Sequence, residues 1–332
     1  MTRFSVLDLS PIVEGGDAAQ AFRNTTDLAQ HAEEWGYYRY WLAEHHNLPG
    51  IASAATAVVI GHVAGQTKQI RVGAGGIMLP NHAPLVIAEQ FGTLESLYPG
   101  RIDLALGRAP GSDQLTARAL RRYLGSSGDT FPQDVLELQS YFRAATPGQR
   151  LHAVPGTGLN VPLYLLGSSD FSARLAAELG LPFAFASHFA PEYLRVALEI
   201  YRRDFKPSAQ LKKPYAIIGA GLFAAATDEE AQRLATSAQL MFLNLVRGRP
   251  GELPPPVDSM DHEWSTAERA AVAERMLYSA IGSAATVLRR LKEIRSETNA
   301  DEIILTAQIF DHAARLRSFE IGADVFRQLN AA

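Results

Sequence analysis

Glu44-His45-His46 follows directly on Tyr38-Arg39-Tyr40-Trp41-Leu42-Ala43, so a carboxylate and two imidazoles stand where an apolar, strand-like run gives way to a loop. Imidazoles exchange protons near neutral pH, and this trio suits general acid–base work or, with further donors, metal ligation. Adjacent strand residues point to opposite faces. His45 and His46 therefore cannot both face one pocket while the strand stays regular; one should reach a site and the other support it. Further chemistry-bearing residues end other apolar runs: Asp8 and Ser10, Gly75-Gly76 with Asn81-His82, Arg108, Ser168-Ser169, Ser187-His188, Phe223 and Asp311-His312.

A metal centre would draw on His45, His46, His188 or His312 with Glu44 or Asp311, assembled one residue at a time from distant strands. No His-x-His lies on the first run, and no metal site is assigned. Phosphate binding has a more compact signal. Leu165-Leu166-Gly167-Ser168-Ser169-Asp170-Phe171-Ser172 leaves a buried run through Gly167 into hydroxyls and a helix start. Backbone N–H groups there, with Ser168, Ser169 and Ser172, form an anion cradle that Arg108 could close as a charged fork. The plainer alternative is a serine helix cap without a ligand. Val72-Gly73-Ala74-Gly75-Gly76-Ile77 puts three glycines into one strand. A bulge or a flat ligand lying close to the backbone would explain them, as would tight packing against a helix.

These residues need a frame. Eight mostly continuous apolar runs, Phe4–Leu9, Tyr37–Ala43, Ile70–Met78, Ile102–Gly107, Pro162–Leu166, Phe183–Ala186, Tyr215–Phe223 and Glu302–Ile309, read as parallel strands buried on both faces. Helical patterns separate them, beginning with Asp17 as N-cap and Gly36 as stop. The count predicts a (β/α)8 TIM barrel forming a single domain over residues 1–332, with insertions after strands 4 and 7; a doubly wound sheet is the alternative. Those insertions, Gly107–Pro132 and Arg247–Thr266, are candidate lids.

The 332 residues include no Cys, which excludes disulfides, thiolate nucleophiles and iron–sulfur ligation. A net charge of −4 with scattered Lys and Arg argues against nucleic acid as a partner. No apolar stretch is long enough for a membrane span, and the N-terminus enters a strand without a signal-peptide core, so the expected location is cytoplasmic. No Gly-x-Ser-x-Gly elbow occurs, and Gly219-Ala220-Gly221 is an incomplete dinucleotide fingerprint inside a strand.

Five separated motifs resemble the bacterial-luciferase-like flavin monooxygenases, in that family's order. They are Arg39–His46, Gly73–His82, Leu85–Gln90, Tyr98–Asp103 with Leu106-Gly107-Arg108, and Leu166–Ser169. The resemblance implies a barrel that takes reduced FMN (FMNH2) from a separate flavin reductase and uses O2 to oxygenate a hydrophobic or aromatic small molecule through a C4a-peroxyflavin. His45 is then similar to the family's catalytic histidine, with Glu44 and His46 as neighbours. Gly75-Gly76 falls where the family has a non-prolyl cis peptide beneath the flavin. Arg108, Gly167, Ser168, Ser169 and Ser172 match the flavin phosphate region. Met78, Phe185, Phe189 and Phe223 are expected to wall the substrate side. Two departures stand out: Gly107 replaces the luciferase cysteine, and Gln133 stands where a second phosphate arginine is expected. The same barrel with a deazaflavin cofactor, or a non-catalytic flavin-binding protein, are the alternatives. Relatives dimerise through the region of the small-residue helix Ser53–Gly65, which implies a homodimer.

Overall fold

The computed structural model describes residues 1–109, 114–120 and 130–331. Nine strands, β1 (Arg3–Asp8), β2 (Arg39–Leu42), β3 (Arg71–Met78), β4 (Ile102–Gly107), β5 (Leu163–Gly167), β6 (Phe183–Phe185), β7 (Ala216–Ala224), β8 (Ser279–Gly282) and β9 (Glu302–Thr306), pair in parallel throughout. Eight close a barrel in the order β1 to β7 then β9, since β6 pairs with β7, β7 with β9, and β9 with β1. The predicted TIM barrel is what forms.

Helices cover its outside: α1 (Ala18–Trp35), α2 (Thr56–Gln66), α3 (Pro84–Leu97), α4 (Gln114–Leu120), α5 (Phe131–Tyr141), α6 (Asp170–Leu179), α7 (Leu194–Asp204), α8 (Asp228–Val246), α9 (Thr266–Arg275), α10 (Ala284–Thr298) and α11 (His312–Ala331). Asp17 caps α1 by accepting from the Gln20 N–H, and Gly36 ends it at φ 84°, both as expected from the sequence. The ninth strand, β8, lies outside the closed ring. It pairs with the end of β7, Gly221–Ala224, overlapping the stretch that meets β9 at Gly221 alone. No apolar run marks Ser279–Gly282, so hydrophobic patterning does not reveal it.

The two insertions differ in what they show. After β4, α4 is described, while residues 110–113 and 121–129, on which most of the expected lid falls, lie outside the described residues. After β7, the 247–265 segment is fastened to the loop following β1: Leu253 N–H donates to Ile12 O at 2.8 Å, and Glu14 N–H donates to Leu253 O at 2.9 Å.

Strand alternation splits the buried side chains. Phe4, Val6, Tyr40, Leu42, Val72 and Ala74 pack outward against the helices. Leu7, Trp41, Ala43, Ala105, Tyr164, Ala184, Ile217 and Ile304 fill the barrel interior. Beneath that apolar layer lies a buried polar plug. Arg39 Nη1 donates to Asp103 Oδ2 at 2.7 Å and Nη2 to Glu302 Oε2 at 3.0 Å, while Trp41 Nε1 and Arg71 also donate to Asp103 and the Tyr215 hydroxyl donates to Glu302. The plug closes the N-terminal end of the barrel. Chemistry is left to the C-terminal mouth.

Candidate active site

Parity decides between the two histidines. Trp41 and Ala43 point inward and Tyr40 and Leu42 outward. Continuing that alternation past the end of β2 turns His45 into the mouth and Glu44 and His46 away from it. His45 accordingly interacts with His188, across the mouth at the end of β6. Glu44 is almost fully buried and gathers the β3–α3 connection around itself. Its Oε1 lies 2.7 Å from His46 Nε2, 2.9 Å from His82 Nε2 and 3.3 Å from Asn81 Nδ2, and its Oε2 accepts from the Met78 N–H at 3.0 Å. A carboxylate offers only lone pairs, so both Nε2 atoms carry the hydrogen.

Burial alone would raise the Glu44 carboxyl. The hydrogen bonds from His82, His46 and Met78 overcome it and hold the group below its ordinary value of 4.5. A carboxylate depressed on folding contributes stability above the unfolded value and loses it as pH falls through the folded one. Glu44→Gln, which sets an amide donor against donors, should lower the melting temperature at pH 7. The gap to the parent should close as the pH drops below about 4.5; a gap that is constant with pH would refute the charge as its source.

The glycines of β3 serve the interior. A Cβ at Gly75 would stand 2.9 Å from Trp41 Cε3 and 3.0 Å from Leu7 Cδ1; at Gly73 it would stand 2.6 Å from Asp103 Cβ. The tight packing is therefore against the barrel's own filling, with no helix involved. The Gly75–Gly76 peptide is cis, and the register to β4 shifts between Gly75 and Ile77. The backbone thus presents a side-chain-free floor at the mouth, with the Glu44 N–H donating to Gly76 O at 3.3 Å.

The residues expected to form an anion cradle stand at the ends of β4 and β5. Ser169 is the N-cap of α6 with extended backbone, but its side chain makes no capping bond, so the first N–H groups of the helix remain available. Arg108 is exposed, lies 4.1 Å over the Phe171 ring and makes no hydrogen bond or ion pair among the described residues. Ser168 is exposed beside it, and Ser172 is buried against Gly167, where a Cβ would stand 2.3 Å from its Oγ. Gln133 is exposed on α5.

Several rim residues face elsewhere. Asp8 points outward, where Tyr40 and Thr25 hydroxyls donate to Oδ2 and Arg315 Nη2 lies 2.6 Å from Oδ1; Ser10 joins the same group. His312 is taken by Asp27 of α1, at 2.8 Å. Phe185 and Phe223 belong to the outward core, so of the expected apolar wall they are absent. Phe189 is exposed beneath the Arg275 guanidinium. At Gly107, the Met78 sulfur takes the room that a side chain would need, 2.7 Å from a Cβ. His82 and His188 both stand at strand ends in the sequence, His188 only as a candidate metal ligand and His82 with no role; their neighbours Glu44 and Gly219 come from elsewhere in the chain. Among the described residues, Glu44, His46 and His82 form the group of acid and imidazole donors within 4.8 Å of one another, and none of the imidazoles proposed for a metal except His46 is in it.

The closed parallel ring, with histidines, serines and an arginine at its C-terminal mouth, defines a (β/α)8 barrel whose site residues gather at one rim. The model of the luciferase-like monooxygenases matches residues 2–302, and the chain belongs to that family. It is 56% identical over 326 residues to a luciferase-like monooxygenase of Escherichia coli K12, covering 98% of this chain and 97% of that protein. It is 38% identical over 255 residues to the N-acetyl-S-alkylcysteine monooxygenase of Bacillus subtilis, 75% of each chain. The crystal structure of apo-MsnO8 superposes with TM-score 0.88 at 33% identity, covering 98% and 99% of the two chains. At fold level alone, the barrel matches the oxygenating constituent of 3,6-diketocamphane monooxygenase from Pseudomonas putida in complex with FMN, and also deazaflavin-dependent enzymes. The chain is thus an oxidoreductase of monooxygenase type. No helix among the described residues is long and apolar enough to cross a membrane.

Proposed function

We propose that the protein is an FMN-dependent monooxygenase that receives reduced FMN from a separate reductase and oxygenates a hydrophobic or aromatic small molecule in the cytoplasm. The observation that carries this reading is the pairing of an uncapped α6 N-terminus and the unpaired Arg108 with a side-chain-free floor at Gly75–Gly76. Together they suit a ligand with a phosphate at one end and a flat ring at the other. Reduced FMN, when bound, supplies the electrons that activate O2 for insertion into the substrate.

The protein's own share is to place and protect. Arg108 and the N–H groups after Ser169 hold the phosphate, with Ser168, Ser172 and Gly167 shaping the cradle. His45, turned into the mouth, gives or takes a proton at its ring nitrogen. Glu44 locks His46, His82 and the Met78 backbone beside it and keeps that wall from shifting. The absence of a nicotinamide fingerprint assigns reduction to a partner. The similarity to an N-acetyl-S-alkylcysteine monooxygenase makes thioether-bearing, N-acylated small molecules the first substrates to try.

The test is a titration of the protein with FMN, riboflavin and a deazaflavin, followed by visible absorption. FMN should bind. Arg108→Ala should weaken FMN by roughly 10- to 100-fold, the worth of a hydrogen bond to a charged group, and leave riboflavin unchanged. Tight binding of the deazaflavin alone would sink the monooxygenase reading. The deazaflavin keeps a claim because, among the described residues, the cradle shows one arginine, Gln133 standing where a second is expected.

A homodimer belongs to the same proposal. Val58 on α2 and Val86 and Leu97 on α3 are exposed on neighbouring helices, an apolar surface suited to a second copy. Light scattering at micromolar concentration should report twice the mass of one chain; a monomer refutes it.

A further inference from the structure

His188 is given no role by the mechanism above, yet its seat is built. A Cβ on Gly219 would stand 2.0 Å from His188 Nδ1 and 2.9 Å from Cε1, so the ring fills the notch that only glycine leaves in β7. The preceding residue pins that arrangement, for the Ser187 hydroxyl donates to Gly219 O at 2.6 Å. Nδ1 is enclosed with no hydrogen-bond partner. The side chain as a whole is only partly buried.

Burial, with His45 facing it, draws the imidazole down to about 4. Among the described residues, His45, from the end of β2, is the charged or titratable group that acts on it, and no carboxylate does. The ring is therefore neutral near pH 7 and carries one hydrogen. An enclosed N–H without an acceptor is the rarer and costlier arrangement, which puts the hydrogen on Nε2. That nitrogen makes no hydrogen bond among the described residues.

We infer that His188 is a cofactor-contacting residue, a fixed Nε2–H donor seated in the Gly219 notch for an acceptor oxygen or nitrogen on the edge of a flavin-type ring. The inference rests on the proposed function, which anchors the cofactor on β3, β4 and β5, between the rim positions of His45 and His188. Flavin and deazaflavin rings both carry two carbonyl oxygens, so the donor serves either.

The test reads the histidine first and the ligand second. In the 15N-histidine-labelled full chain, His188 should show Nε2 protonated and Nδ1 bare, unchanged between about pH 5 and 8. The opposite tautomer, or an ordinary titration in that range, overturns the inference. Adding FMN should shift the Nε2 resonance. H188F should bind FMN roughly 3- to 10-fold more weakly, the net worth of one hydrogen bond, and H188Q, which keeps a donor, should recover part of it. Wild-type affinity in H188F, with FMN bound normally by the parent, overturns this contact alone. If the parent binds only the deazaflavin, the monooxygenase reading falls and the same comparison with that ligand decides His188. If it binds neither, both fall. Should H188F not fold, the shift of the parent's Nε2 resonance on ligand addition decides.

Discussion

His45→Asn is expected to lower oxygenation by about 100- to 10,000-fold, the usual worth of a placed general acid–base group, while FMN affinity and melting temperature stay close to the parent's. The reason lies in strand parity. His45 shares its face with Trp41 and Ala43, which fill the barrel, and it faces His188 across the mouth. His46→Asn should behave differently. It removes one of the donors on Glu44 and leaves the histidine at the mouth, so the expected signature is a lower melting temperature with a smaller loss of rate. Single-turnover assays with chemically reduced FMN, reading both product and hydrogen peroxide, separate these cases. For His45→Asn the flavin should still be oxidised, with peroxide replacing product. Full product yield from His45→Asn would remove this residue from the chemistry, and peroxide as the sole output of the parent with every substrate would favour a flavin-binding role.

The largest effect on stability is expected at the other end of the barrel. Arg39 is about 1% exposed and sits between two carboxylates that are themselves fully buried, Asp103 and Glu302. Burial disfavours its charge, but Glu302 and then Asp103 more than compensate and hold its pKa well above the ordinary arginine value. Three aromatic rings also lie under the guanidinium: Tyr38, Tyr164 and Trp41, with centroids 4.6, 4.9 and 5.1 Å away. Arg39→Met leaves Glu302 without a cationic partner in the core, while Arg71 still pairs with Asp103, and costs about 3–5 kcal/mol. On a chain of this size that is a fall of roughly 10 °C in melting temperature. The double change R39M/E302Q, which keeps the Arg71–Asp103 pair, should recover much of the loss, because neutralising a buried pair costs less than breaking it. A double variant less stable than R39M would show that the geometry of the plug matters more than its charge balance.

Most of the frame is legible along the chain, because burying a parallel strand on both faces demands a continuous apolar run. The eight strands that close the barrel each have one. β8 has none, since it pairs only with the tip of β7 and contributes little to the core. The helix α9 is absent from the pattern for a similar reason: of its ten residues Val272 alone is fully buried. At the site, Glu44, His45 and His46 are readable because three chemical groups lie side by side, and the α6 start because a glycine and two serines announce it. The outward turn of Asp8 and Phe185 follows from an alternation that places neighbours on opposite sides, and reading strand ends alone passes over it.

What the sequence by itself determined is therefore local: which runs become strands, where α6 begins, and that one of two adjacent histidines must face inward. Tertiary structure alone showed that Trp41 and Ala43 point into the barrel, the face that His45 would continue, and it alone drew His82 to Glu44 and seated His188 on Gly219. Those partners are 38 and 31 residues apart. Closing the ring brings them together, and no spacing along the chain encodes a contact made through closure.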